Sequence, residues 1–158
     1  MMLDVKAKLA AMGRTLPEPV KPVAVYVPVI QSGDLLVVSG QLPMREGKLL
    51  ATGAVPSAAS IDEANEAAAQ CAVNVIAAIG AHLAGDWSRV LQIVRVGVFV
   101  QSDDGFGGQP QVANGASELL GEVFGESGRH ARSAVGVNAL PLNASVEVEL
   151  MVRIKEAD

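Results

Sequence analysis

Residues Ala144 to Ile154 alternate without a break. Val146, Val148, Leu150, Val152 and Ile154 fall on one side of an extended segment, and Ser145, Glu147, Glu149, Met151 and Arg153 fall on the other. Side chains of period two belong to a strand, here with one apolar face and one carboxylate-bearing face. Such a strand commits the chain to a sheet packed on one side and open to water or another molecule on the other. A lone arginine opens the stretch Arg132-Ser133-Ala134-Val135-Gly136-Val137, fifteen residues before Glu147. A guanidinium near such a face can clamp a small carboxylate through two parallel hydrogen bonds. A glutamate close by can then hold or activate water beside the clamped molecule. On spacing alone, a structural ion pair on a solvated sheet face is the commoner outcome.

The remaining segments supply the layers around that strand. Leu3 to Met12 reads as a short helix with Val5, Leu9 and Met12 on one side and Gly13 as its stop. Pro17, Pro19 and Pro22 make the following stretch a connector. Residues 1–22 are therefore an N-terminal helix and linker ahead of a single domain over 23–158. Val23 to Ile30 is expected as a strand, with Pro28 marking an edge or a bulge. Ser32-Gly33-Asp34 turns into a second strand, Leu35–Ser39, closed by Gly40, and a small third strand fits near Gly47 to Leu50.

Ser60 and Glu63 form a capping box that opens a helix to about Leu83. Its narrow face of Ala64, Ala67, Ala68, Cys71, Val75, Ala78 and Ile79 allows close approach to a sheet. Arg89–Gln101 is a nearly continuous apolar run, with Arg95 inside it, and reads as a strand buried on both faces. A second helix covers Val112 to Phe124, and Gly125 to Gly128 loops back to the Arg132 strand. Two helices on one face of a mixed sheet give a two-layer α+β domain. The face bearing Glu147 and Glu149 is covered by nothing else in the chain. A mean hydropathy of +0.34 argues against leaving it all to water, so self-association through that face is expected.

Several classes of function are disfavoured. The chain has 158 residues and a net charge of −5, with no cluster of lysine and arginine. Nucleic-acid binding leans on many cationic phosphate contacts, so RNA and DNA are poor partners for it. No apolar run approaches the roughly 18 residues of a membrane span. The N-terminus lacks a signal-peptide pattern, and the single Cys71 suits the reducing cytosol, so a cytoplasmic location is expected. Gly105-Phe106-Gly107 meets Pro110 where a dinucleotide fingerprint needs its last glycine. Asp103 and Asp104 read as turn or cap residues. His82 and His130 lack a ligand cluster, so no metal is expected. Ser133 has neither a nucleophile elbow nor an identifiable base.

Val38-Ser39-Gly40-Gln41-Leu42-Pro43 resembles the Ser-Gly-Gln-hydrophobic-Pro signature of the RidA/YjgF family, the reactive intermediate imine deaminases. Ala131-Arg132-Ser133-Ala134-Val135 is similar to that family's Ala-Arg-Ser block. Leu140-Pro141 followed by Val146-Glu147-Val148-Glu149 is similar to its ending, and Gly85-Asp86-Trp87-Ser88-Arg89-Val90 to the turn before its central strand. The likeness runs from about Tyr26 to Arg153. It implies a chorismate-mutase-like α+β fold and a homotrimer with clefts between subunits. The activity it implies is metal-free and cofactor-free hydrolysis of 2-imino acids, tautomers of 2-enamino acids, to 2-keto acids and ammonia. An older family label, L-PSP endoribonuclease, implies RNA cleavage, which the acidic charge disfavours.

Carried over singly, the resemblance makes Arg132 the carboxylate clamp, Gly40 a backbone donor beside Ser39, and Glu147 the residue that handles water. Tyr26 stands at the spacing of the family's active-site tyrosine, and Asn114 falls on a cleft asparagine. Ala134 takes the substrate-side position where many members have a cysteine, and Gly136 stands where archetypal members have a glutamate. These departures, the N-terminal helix and the stretch Gly125-Glu126-Ser127-Gly128-Arg129-His130 mark a divergent branch. The loop is expected to reshape the cleft entrance, with His130 read as a surface histidine. An imine carbon is already electrophilic, so aligned water and substrate supply much of the acceleration by proximity. The alternative with the same cleft is a protein that binds 2-keto acids without turnover.

Overall fold

Ser60 caps the longest helix, α2 (Ile61–His82), reciprocally. Its hydroxyl accepts from the Glu63 amide at 3.1 Å, while the Glu63 carboxylate accepts from the Ser60 amide at 2.8 Å. The computed structural model describes residues 3–19 and 25–155, so the expected strand start at Val23 lies outside the described residues. From Ala67 to Ile79 every residue of α2 is buried. Its alanines are therefore packed all round the helix rather than along one narrow face. The sheet lies beneath it, a second helix on one side and a small hairpin on the other. Cys71 is fully buried here, with Sγ 3.8 Å from the Val146 carbonyl, and burial pushes its thiol pKa well up. It is an inert packing residue.

Among the described residues the sheet has five strands in the order β1-β2-β7-β5-β6. These are β1 (Val29–Ser32), β2 (Leu35–Gln41), β5 (Val90–Gln101), β6 (Ala131–Val137) and β7 (Val146–Ile154). Only the β5–β6 pair is parallel, because the chain crosses over between them through helix α3 (Gln109–Phe124). β3 (Met44–Arg45) and β4 (Lys48–Leu49) form a separate two-stranded ribbon and do not join the sheet. Among the described residues the first strand begins at Val29 and 25–28 lie outside it, because Pro28 has no amide hydrogen to give a ladder. α3 begins three residues earlier than expected, since Pro110 is tolerated in a first helical turn.

β5 corrects another expectation, that of a strand buried on both faces. Ile93, Val96, Val98 and Val100 are buried, but Val94 and Arg95 are exposed and Phe99 is partly so. A register shift between Ile93 and Arg95 puts the arginine on the open side. The apolar run reflects an open face that still carries Gly97 and Phe99. Val146, Val148, Leu150, Val152 and Ile154 of β7 lie in the core as the alternation requires. The short helix α1 (Val5–Ala11) adds Val5 and Leu9 to that core and docks on α3, where Lys8 donates to the Glu122 carbonyl at 3.0 Å. Arg14 then fixes the linker with two hydrogen bonds, 2.9 and 2.7 Å, to Glu66 of α2.

α2 and α3 cross at Gly115, where a Cβ would overlap the Asn65 carbonyl oxygen and lie 2.8 Å from its carbon. Backbone cannot yield as a side-chain tip can. Gly115→Ala is therefore expected to lower the unfolding free energy by about 1–3 kcal/mol. Gly121→Ala, on the same helix with nothing within 4 Å of its Cβ, should instead raise it by about 0.5–1 kcal/mol. Urea unfolding of the two variants checks the contrast.

Candidate active site

The expected site residues fall into two groups on opposite faces of the sheet. Arg132 lies on the edge strand β6 in parallel register with Val96, a residue buried beneath the helices. Its side chain therefore leaves the sheet on the helix side and runs out to solvent alongside α3. There its Nη1 donates to Asn114 Oδ1 at 2.9 Å and to Ser117 Oγ at 3.1 Å. Asn114 and Ser117 are three residues apart on α3 and share one face of it. Ala134 is next on the same side of β6, in register with Val98 and packed against the core.

Two members of this cluster carry no family motif and were not expected. Ser117 sits 2.9 Å from His130 Nε2, and His130 Nδ1 sits 2.6 Å from the Gly128 carbonyl oxygen. His130 is thus half-buried and tied at both ring nitrogens, not a free surface histidine. The only signal for it in the sequence is indirect. Asn114 and Ser117 have the spacing of one helical face, and His130 precedes Arg132 by two residues on the same strand parity.

The second group occupies the open face. Glu147 of β7 lies between Phe99 of β5, its register partner, and Gly40 of β2. A Cβ on Gly40 would overlap Glu147 Oε1 and lie 2.9 Å from its Cδ, so the glycine makes the space the carboxylate occupies. Ser39 is anchored next to it, its amide donating to Pro28 O at 2.9 Å and its hydroxyl to Val27 O at 2.7 Å. Those contacts hold the exposed Tyr26 segment beside Ser39 and Gly40 of β2. Burial, followed by the charge of Glu149, raises the pKa of Glu147. Glu149 has Arg95 for company, Oε1 to Nη1 at 3.8 Å, while Glu147 has no ion-pair partner among the described residues.

Arg132 and Glu147 therefore do not converge within one chain, and the carboxylate does not sit beside the guanidinium there. Asp103 is a loop staple, as its type suggested, accepting from the Ser57 amide and hydroxyl at 2.9 Å each. Among the described residues His82 hydrogen-bonds Gln31 alone, at 3.1 Å. Among the described residues no group of three or more His, Cys, Asp or Glu is placed to hold a metal ion. No helix among them is long and apolar enough to cross a membrane.

A mixed five-stranded sheet under two helices, with an edge-strand arginine and a carboxylate on the open face, defines a chorismate-mutase-like α+β protein. Residues 6–154 match the family described as "YjgF/chorismate mutase-like, putative endoribonuclease", and the chain belongs to that family. It is 44% identical to Protein TCP17 of Trypanosoma cruzi, over 95% of this chain and 94% of that protein. It is 30% identical to a 2-iminobutanoate/2-iminopropanoate deaminase of Dermatophagoides farinae, over 88% of this chain and 91% of that protein. The crystal structure of Atu1372 from Agrobacterium tumefaciens, a protein of unknown function, superposes with a TM-score of 0.91 at 46% identity, over 96% and 92% of the two chains.

The raised pKa of Glu147 has a thermodynamic consequence. The folded chain holds this proton to higher pH than the unfolded chain does. Stability from this group is therefore present below the ordinary glutamate range, roughly pH 4.3, and is lost as pH rises through the folded value. Glu147→Gln removes the buried charge, so the variant should melt higher than the parent at pH 7. The difference should shrink as the pH falls towards 4, which a series of melting curves measures.

Proposed function

We propose that the protein hydrolyses reactive 2-imino acids, and their enamine tautomers, to 2-keto acids and ammonia. The site is a cleft between two copies of the chain in a homotrimer. The observation that carries this reading is the state of Arg132: an exposed guanidinium steadied by α3 and engaged in no ion pair among the described residues. Such a group suits an incoming carboxylate. The name of the Dermatophagoides farinae relative supports the same class of substrate. The opposite placement of the two groups supports an intersubunit location. Arg132, Asn114 and Ala134 of one copy face Tyr26, Ser39, Gly40 and Glu147 of the next, so that a ligand meets both only between copies.

In this reading Arg132 fixes the carboxylate and the Gly40 amide steadies the far side of the ligand. Glu147 orients water and takes one of its protons as oxygen bonds to the imine carbon. That proton passes to nitrogen to give a carbinolamine; Glu147 then takes the hydroxyl proton and returns it to nitrogen, so that the C–N bond breaks and ammonia leaves as the C=O bond of the 2-keto acid forms. A carboxylate whose pKa is raised is suited to both halves of that exchange. Neither a metal nor a covalent nucleophile is needed, because the C=N carbon is electrophilic before it binds.

The test generates 2-iminobutanoate in situ with a threonine dehydratase and traps it with semicarbazide. The parent protein should suppress semicarbazone formation. Arg132→Ala should lose about 10- to 100-fold in kcat/KM, the scale of about 1.5–3 kcal/mol for a charge-assisted contact. If the folded parent protein leaves the semicarbazone signal unchanged, the deaminase reading fails. Calorimetric binding of 2-ketobutanoate without turnover would then identify a small-acid binding protein.

A further inference from the structure

We propose that Ser117 and His130 are positioning residues that set the hydrogen-bonding state of Arg132, so that its Nε–Nη2 edge is the one offered to the substrate carboxylate. This rests on Arg132 being the clamp proposed above. The chain of donors and acceptors starts at Gly128. Its carbonyl oxygen lies 2.6 Å from His130 Nδ1, and a carbonyl can only accept, so Nδ1 carries the hydrogen. The neutral ring then presents Nε2 as an acceptor. The Ser117 hydroxyl, 2.9 Å away, has a single hydrogen and gives it to Nε2. That orientation turns the lone pairs of Ser117 Oγ towards Arg132 Nη1 at 3.1 Å.

Nη1 has two hydrogens, and Asn114 Oδ1 at 2.9 Å takes the other. This nitrogen is saturated. Among the described residues Nε and Nη2 have no partner, and together they form the side-on fork that matches two carboxylate oxygens. Without His130 the serine hydroxyl is free to turn its hydrogen towards the guanidinium, setting donor against donor. The relay is what keeps Ser117 an acceptor.

The far end of the relay is built to stay put. Gly128 is buried, and a Cβ there would lie 2.9 Å from the Leu120 carbonyl carbon, so the loop lies directly on α3. Gln92 of β5 staples the same loop, donating to Ser127 O at 3.2 Å and also to Arg129 O. The stretch 125–130 is thus a fixed mount for His130. Its place in the branch is to hold the arginine in one state.

The experiment compares the parent with Ser117→Ala, His130→Ala and His130→Gln. It reads 2-ketobutanoate binding by calorimetry and kcat and KM in the semicarbazide assay. Ser117→Ala and His130→Ala should weaken binding and raise KM by about fivefold to tenfold, the scale of one net hydrogen bond, with the effect on KM rather than kcat. Glutamine can place a carbonyl oxygen where Nε2 stood, so His130→Gln should recover most of the loss. Parent-like binding and KM in both alanine variants overturn the proposal, as does a glutamine variant no better than alanine. If the parent binds 2-ketobutanoate without turnover, the deaminase reading fails while binding still judges the relay. If the parent does neither, clamp and relay fall together. Long-range 15N–1H NMR gives a readout independent of any ligand: His130 should be the Nδ1-protonated neutral tautomer, and the Nε2-protonated form would overturn the relay.

Discussion

One-sided burial of β7 is the constraint on which the other parts of this structure depend. The strand is the middle of five, with β2 and β5 hydrogen-bonded to its two edges and α2 across one face. Val146, Val148 and Val152 have no exposed surface at all. A slip of one residue in register would move Glu147 and Glu149 into that core and the valines out, so hydrophobic burial alone fixes where the carboxylates stand. The neighbouring strands are cut to match. Gly40 on β2 leaves room for Glu147, and Gly97 on β5 leaves room for Glu149, whose Cγ would lie 2.8 Å from a Cβ there. The open face is therefore not a solvated remnant. It carries two carboxylates seated in glycine-made gaps, one of them paired with Arg95 and the other not.

The parallel β5–β6 pair decides the rest of the chemistry. A parallel connection needs a crossover, and a crossover helix lies over the two strands it joins. α3 thus ends up alongside the edge strand, where Asn114 and Ser117 reach Arg132. Placing the arginine on the helix side and Glu147 on the open side is a consequence of register, since Arg132 pairs with buried Val96 and Glu147 with Phe99. No side-chain rearrangement within one chain brings the two together across a sheet. An edge strand also presents unpaired backbone to a neighbour. Both facts point the proposed chemistry towards a second copy of the chain.

The sequence was most legible where a single physical rule acts alone. The alternation of residues 146–154, the Ser60–Glu63 capping box and the helix that it opens each have one cause, and each appears where that cause puts it. It misled where two causes overlap. β5 reads as buried on both sides because a partly apolar open face and a bulge near Arg95 give the same composition as a two-sided core. Residues 25–28, read as strand from their alternation, lie outside it because Pro28 overrides the pattern. Arg132 stood out by its place in the sequence and Asn114 by motif resemblance, but Ser117 did not stand out and His130 read as a surface residue. Their link crosses from α3 to the approach of β6, and only the packing of the 125–130 loop on Leu120 and Gln92 creates it.

Gly136 shows how a departure from the family pattern can leave the proposed clamp intact. It shares the helix-side row of β6 with Arg132 and Ala134, and a Cβ there would lie 2.8 Å from Gln109 Nε2 and 3.0 Å from Ser102 Oγ. The amide that fills this space is held by its own contacts, donating to Phe106 O at 2.6 Å and to Ser102 Oγ at 3.3 Å. A glutamate of the archetypal kind would have to displace it. Four residues of strand separate positions 132 and 136, about 13 Å by the usual rise, which exceeds the screening length of roughly 8–10 Å in physiological salt. Exchanging that carboxylate for a neutral amide therefore does little to the charge felt at Arg132. In the proposed reading it alters what lies further along the row, where the part of a ligand remote from its carboxylate would rest.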